Sequence, residues 1–92
     1  ALHAAAAANQ VQSVQALLSH GAPAASKDWA GRTALHLAAA VGSEACVALL
    51  IAHAAPVDAL DDDRCTPLHH AAFAGHTNVV QTLLQHGVNP DA

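Results

Sequence analysis

The sequence predicts an all-helical chain built as a solenoid, with helix-turn-helix units stacked side by side and joined by β-hairpin-like loops. Three observations carry that prediction: a 33-residue self-similarity along the 92 residues, an apolar fraction made largely of alanine, and helix caps that recur in the same register. The chain is 53% hydrophobic but only 2% aromatic, and alanine supplies 25 residues against 20 for Leu, Val and Ile together. A domain of this length buries only about 60 to 65% of the surface its unfolded chain exposes, and a methyl group adds little to that burial. One round core is therefore a poor solution, and thin layers of closely spaced helices are a better one.

A shift of 33 residues brings Leu2 onto Leu35 and Leu68, His3 onto His36 and His69, and Ala5-Ala6 onto Ala38-Ala39 and Ala71-Ala72. Farther along, Val14, Val47 and Val80 coincide, as do Leu17, Leu50 and Leu83, then Leu18, Ile51 and Leu84, then His20, His53 and His86. Asp28 meets Asp61, and Thr33 meets Thr66. The register divides the chain into units of about 1–26, 27–59 and 60–92, the first lacking its leading hairpin.

Each element then has a local cause. The first helix of unit one runs from the start of the sequence to Asn9, a residue that tolerates the left-handed conformation ending a helix; Gly42 and Gly75 hold the same slot later. The second helices carry Val14, Leu17 and Leu18, then Val47, Leu50 and Ile51, then Val80, Leu83 and Leu84, spaced three and four apart so that each trio shares a face. Gly21 and Gly87 stop the outer two of these helices. Thr33 and Thr66 suit N-caps, and Pro67 suits a first helical position, where no N–H is needed. Arg64 stands where unit two has Gly31, so the second hairpin tip is expected to be less regular than the first.

The period, with Thr66-Pro67-Leu68-His69-His70-Ala71-Ala72 followed by Val80, Leu83, Leu84 and Gly87, resembles the ankyrin repeat. The resemblance spans the whole chain and implies part of a longer array. It also implies that His3, His36 and His69 are structural histidines bonded to the neighbouring Thr and turn backbone, and that partners meet the hairpin tips and the exposed face of each first helix.

Several function classes are excluded by residue content. The longest uncharged apolar run, Ala45–Ala52, falls well short of the roughly 20 residues needed to span a bilayer, and no secretion signal is visible in Ala1-Leu2-His3-Ala4. Cys46 and Cys65 lack C-x-x-C spacing and read as reduced thiols of an intracellular protein, cytoplasmic or nuclear. Lys27, Arg32 and Arg64 are the only basic residues in a chain of net charge −4, too few and too scattered to neutralise nucleic-acid phosphates. Six of eight histidines are accounted for by the repeat, members of a set lie about 10 Å apart by the repeat spacing, and no metal or cofactor is expected. The run Asp58-Ala59-Leu60-Asp61-Asp62-Asp63 lacks the spacing of a calcium loop. No nucleophile elbow or phosphate loop occurs, so the protein is not expected to be an enzyme.

What the repeat leaves free is the candidate partner surface: Trp29, Arg32, Asp62, Asp63, Arg64 and Phe73, the first choice being Trp29 with Arg32. Two readings of Trp29 stand, a binding anchor or a ring folded over its own hairpin, and three of Asp62 and Asp63, a solvated tip, a contact for a basic partner or adventitious cation binding. The resulting function is a non-catalytic scaffold for a protein or peptide partner, monomeric and without membrane insertion; the alternative is a run of spacer repeats in a longer solenoid, favoured by alanine at positions 7, 8, 40 and 74. Two stability expectations follow. If His3, His36 and His69 are buried and neutral, stability falls as pH drops below about 6.5. Ala54 occupies the slot of Gly21 and Gly87, where a left-handed alanine costs on the order of 1 kcal/mol, so Ala54→Gly should raise the melting temperature; a lower one would refute that placement.

Overall fold

The computed structural model describes residues 2–53 and 55–85, leaving Ala54, His86 and Gly87 outside the described residues. Six helices follow one another: α1 (Leu2–Ala7), α2 (Val11–Ser19), α3 (Ala34–Val41), α4 (Glu44–Ala52), α5 (Pro67–Ala74) and α6 (Thr77–Gln85). They pair as α1/α2, α3/α4 and α5/α6, and the pairs stack, α3 lying between α1 and α5 while α4 lies between α2 and α6. No strand occurs among the described residues.

Alanine makes the stack possible. Ala6, Ala34, Ala38, Ala39 and Ala71 are fully buried, and with nothing larger than a methyl at these sites the first helices approach closely. Leu35, Leu50, Leu83, Val14, Val47 and Val79 fill the space between first and second helices, each contributing about 1.5 to 3 kcal/mol of burial. Cys46 is fully buried in the same layer.

The helix ends obey the local rules. Thr33 accepts from the His36 N–H and Thr66 from the His69 N–H, while the Nδ1 of each histidine accepts from the backbone N–H of its threonine, a reciprocal box at both N-termini. Gly42 at φ +77° and Gly75 at φ +78° close α3 and α5 in the left-handed conformation, and Asn9 at φ +57° does so after α1. His20 and His53 follow the last turns of α2 and α4 rather than lying inside them, and both are exposed.

The second hairpin differs from expectation. Gly31 and Arg64 have nearly the same φ, +74° and +62°, and the two tips share one hydrogen-bond pattern. Asp28 N–H donates to Arg32 O and Gly31 N–H to Asp28 O; Asp61 N–H donates to Cys65 O and Arg64 N–H to Asp61 O. The aspartate side chain that opens each turn imposes this geometry, and arginine accepts it. An arginine at positive φ is strained by about 1 kcal/mol, so Arg64→Gly is expected to raise the melting temperature by a few degrees in a domain of this size. A thermal melt in which that variant is less stable than the parent would show that the turn is not strained.

Candidate partner-binding surface

Both hairpin tips are organised by one aspartate carboxylate, half-buried in the first and buried in the second. In the first, Asp28 Oδ1 accepts the N–H groups of Ala30 and Arg32, both at 2.9 Å, and Oδ2 accepts Arg32 Nε at 3.1 Å. In the second, Asp61 Oδ1 accepts the N–H groups of Asp63 at 2.9 Å and Cys65 at 2.8 Å. Its Oδ2 is taken by His70 Nε2 at 2.8 Å, so an imidazole from α5 stands where the first tip uses its own guanidinium. Burial alone would raise both carboxyl pKa values, but the backbone donors and the Arg32 or His70 partner outweigh it and hold them below the usual range.

The tips are also joined to each other. Asp62 N–H donates to Ala30 O at 3.0 Å and Lys27 Nζ to Leu60 O at 3.3 Å. A Cβ on Gly31 would lie 2.5 Å from Asp62 Oδ1, so the missing side chain is what lets the second tip close on the first. The two hairpins thus form one rigid rim.

On that rim Trp29 is 87% exposed. It does not fold down over its hairpin; the Arg32 guanidinium sits 5.3 Å from its ring centroid, a cation–π contact that orients the indole. Asp62, Asp63 and Arg64 are exposed and have no ion-pair partner among the described residues. Arg64 and Phe73 meet across a groove of about 710 Å³ lined by Ala40, Arg64, Cys65, His69, His70, Phe73 and Ala74. Phe73, 85% exposed, stands where the earlier first helices carry Ala7 and Ala40. The sequence-predicted residues therefore fall into two groups, Trp29 with Arg32 on the first tip and Arg64 with Phe73 at the groove, with Asp62 joining the tips between them.

His70 and His76 had no role assigned by period, and both hold the surface in shape. His70 pins the second hairpin to α5, and His76 Nε2 donates to Ala40 O at 3.1 Å while its ring packs against Gly42. They replace Leu37 and Ser43 of the preceding unit. The only sequence signal for the first was the repeated hairpin aspartate nine residues upstream.

His36, Asp61 and His70 bring ligand-type atoms within 4.8 Å of one another. They do not fit a metal. His36 Nδ1 accepts the Thr33 N–H, so its proton is on Nε2, which donates to Cys65 O at 2.8 Å, and His70 Nε2 donates to Asp61. Neither facing nitrogen has a lone pair to offer. Cys65 is no better placed as a nucleophile: burial, then the carboxylates of Asp61 and Asp63, push its thiol pKa up, and the thiolate is the reactive form.

Of the three motif histidines only His36 is fully buried; His3 and His69 are half-buried, a correction to the expectation that all three are enclosed. His36 alone is covered from both sides, by the second hairpin and by the edge-on ring of His70 at 5.4 Å. Burial lowers its pKa, and the nearby His70 adds to the shift. Because the folded state prefers the neutral ring, its contribution is complete above the unfolded value of about 6.5 and is lost as pH falls toward the lower folded pKa. Asp28 and Asp61 shift downward too, so their contribution holds above about 3.9 and fails in a second, more acidic window. Melting temperatures should be flat between about pH 7.5 and 8, decline between about 6.5 and 5, and decline again below about 4. An NMR titration placing the His36 ring above 6.5 would contradict the first step.

A sequence profile described as ankyrin repeats matches residues 1–92 in three copies. No curated protein matches the chain. The profile covers the same span as the stacked helix pairs, capping boxes and paired hairpins, and the chain belongs to the ankyrin repeat family.

Proposed function

We propose that this protein is a non-catalytic scaffold that holds a protein or peptide partner against its hairpin rim and the first-helix face beside it. Ankyrin repeats are generally protein–protein interaction modules. The observation that carries the reading here is that both aromatic residues of the chain are more than four-fifths exposed on rigid elements. A buried large apolar side chain gains about 1.5 to 3 kcal/mol over an exposed one, and this gain is forgone at both residues. A partner that covers Trp29 and Phe73 recovers it.

Rigidity adds to the argument. Trp29 is oriented by Arg32, Arg32 by Asp28, and the second tip by Asp61 and His70, so little freedom is left to lose on binding. Asp62 and Asp63 would add contacts to basic groups of the partner, while Arg64 and Phe73 would hold an apolar segment in the groove. No helix of the described residues is long and apolar enough to cross a membrane. We place the protein in the cytoplasm or nucleus, where the free thiols of Cys46 and Cys65 stay reduced.

Alanine at positions 7, 8, 40 and 74, which offers little to grip, favours the other reading, in which these repeats are spacers and recognition lies elsewhere. Capture of partners by the complete parent protein separates the two. Trp29→Ala with Phe73→Ala should reduce capture at least about tenfold, about 1.4 kcal/mol, and Asp62→Ala with Asp63→Ala should reduce it less, all without lowering the melting temperature. Unchanged capture in both double variants would leave the spacer reading.

A further inference from the structure

The chain has only three basic residues against a net charge of −4, and two of them are used within the fold. Lys27 Nζ donates to Leu60 O at 3.3 Å, and Arg32 Nε donates to Asp28 Oδ2 at 3.1 Å while its guanidinium lies against Trp29. Arg64 is different. Its exposed guanidinium has no ion-pair partner among the described residues, although Asp62 and Asp63 directly precede it in the chain.

The backbone at Arg64 makes this isolation informative. The residue sits at φ +62°, in the slot that Gly31 fills one unit earlier, where any side chain is disfavoured. An arginine is therefore kept in a strained turn, and its charge makes no internal contact that offsets the strain. Such an outlier points to a task outside the fold.

The surroundings of Arg64 define that task. With Ala40, Phe73 and Ala74 it lines the groove of about 710 Å³, and no carboxylate is among the lining residues. Asp62 and Asp63 belong to the tip and do not line the groove. Asp61, which opens the same turn, already has its oxygens engaged by the N–H groups of Asp63 and Cys65 and by His70. The groove thus presents one cation beside an apolar wall, and the acids of this hairpin are spent on the turn or displayed at the tip.

We infer that the groove takes a peptide segment of the partner in which a large apolar side chain stands next to an Asp or Glu. The apolar group covers Phe73, Ala40 and Ala74, and the carboxylate pairs with the Arg64 guanidinium, whose fork of N–H donors can engage both of its oxygens. Charge complementarity fixes the choice. A basic segment in the groove would be repelled by Arg64, whereas Asp62 and Asp63 at the tip attract one. The partner's segment consequently changes sign between the groove and the tip. The assignment rests on the partner-binding reading of this surface and adds the charge that the groove selects.

Random peptides of about 12 residues, about 40 Å long when extended, displayed on phage and selected on the 92-residue chain supply the probe. The enriched sequences should share an Asp or Glu beside a large apolar residue. A synthetic peptide of that consensus should bind Arg64→Gly at least about tenfold more weakly than the parent, with Arg64→Lys in between, and Arg64→Gly should melt no lower than the parent. Arg64→Glu should lose the peptide and regain affinity when the acid of the peptide is changed to Lys, a reversal that a purely structural role of the arginine would not produce. A consensus without an acid, or one bound equally well by Arg64→Gly, would overturn the assignment. If such a consensus still loses affinity for the Trp29→Ala, Phe73→Ala double variant, the scaffold reading stands and the acidic segment alone falls; if no peptide is enriched, both fall.

Discussion

No helix pair in this protein can bury its own apolar surface, and everything else in the structure follows from that constraint. A pair of helices of six to nine residues is too short to be stable alone in water, and the α3–α4 pair is enclosed only because α1–α2 and α5–α6 lie on either side. Alanine is the means. Its small side chain at positions 6, 38, 39 and 71 lets first helices pack at short range, while Leu35, Leu50 and Leu83 fill the layer behind them. Composition that would give a weak globular core gives a sound stack.

Turn chemistry then converts the stack into a surface. Each hairpin is folded around a carboxylate that collects two backbone N–H groups, and the remaining oxygen is satisfied by Arg32 in one tip and His70 in the other. The choice has consequences for what is displayed. Arg32, drawn back to Asp28, orients Trp29; His70, reaching out from α5, leaves Arg64 free to border the groove with Phe73.

Most of the architecture was legible because it is periodic. Thr33, Thr66, Pro67 and the left-handed residues Asn9, Gly42 and Gly75 after the first helices act through local backbone rules, so their positions alone foretold the helix ends. Features that depend on neighbours in space were harder to read. The strength of the Asp61 turn, which makes Arg64 adopt a glycine conformation, could not be judged from the Gly31 comparison. His70 and His76 break the period, so the repeat assigns them no task, although their partners, Asp61 and Ala40, are in plain view in the sequence. The shared register of Leu18, Ile51 and Leu84 likewise concealed their graded exposure, because register says nothing about which units have a neighbour. For the surface, the repeat identified Trp29 and Phe73 as surplus to packing, but it could not show that they fall into separate groups.

The forward-reaching contacts also determine where motion is permitted. Opening α3–α4 breaks the Asn9–Ser43 and His76–Ala40 links together, as well as the His36–Cys65 bond, whereas opening an outer pair breaks the links of one joint. Local unfolding in such a stack proceeds inward from its ends. The central pair is thus expected to be the slowest amide-exchanging segment, while the outer helices fray first.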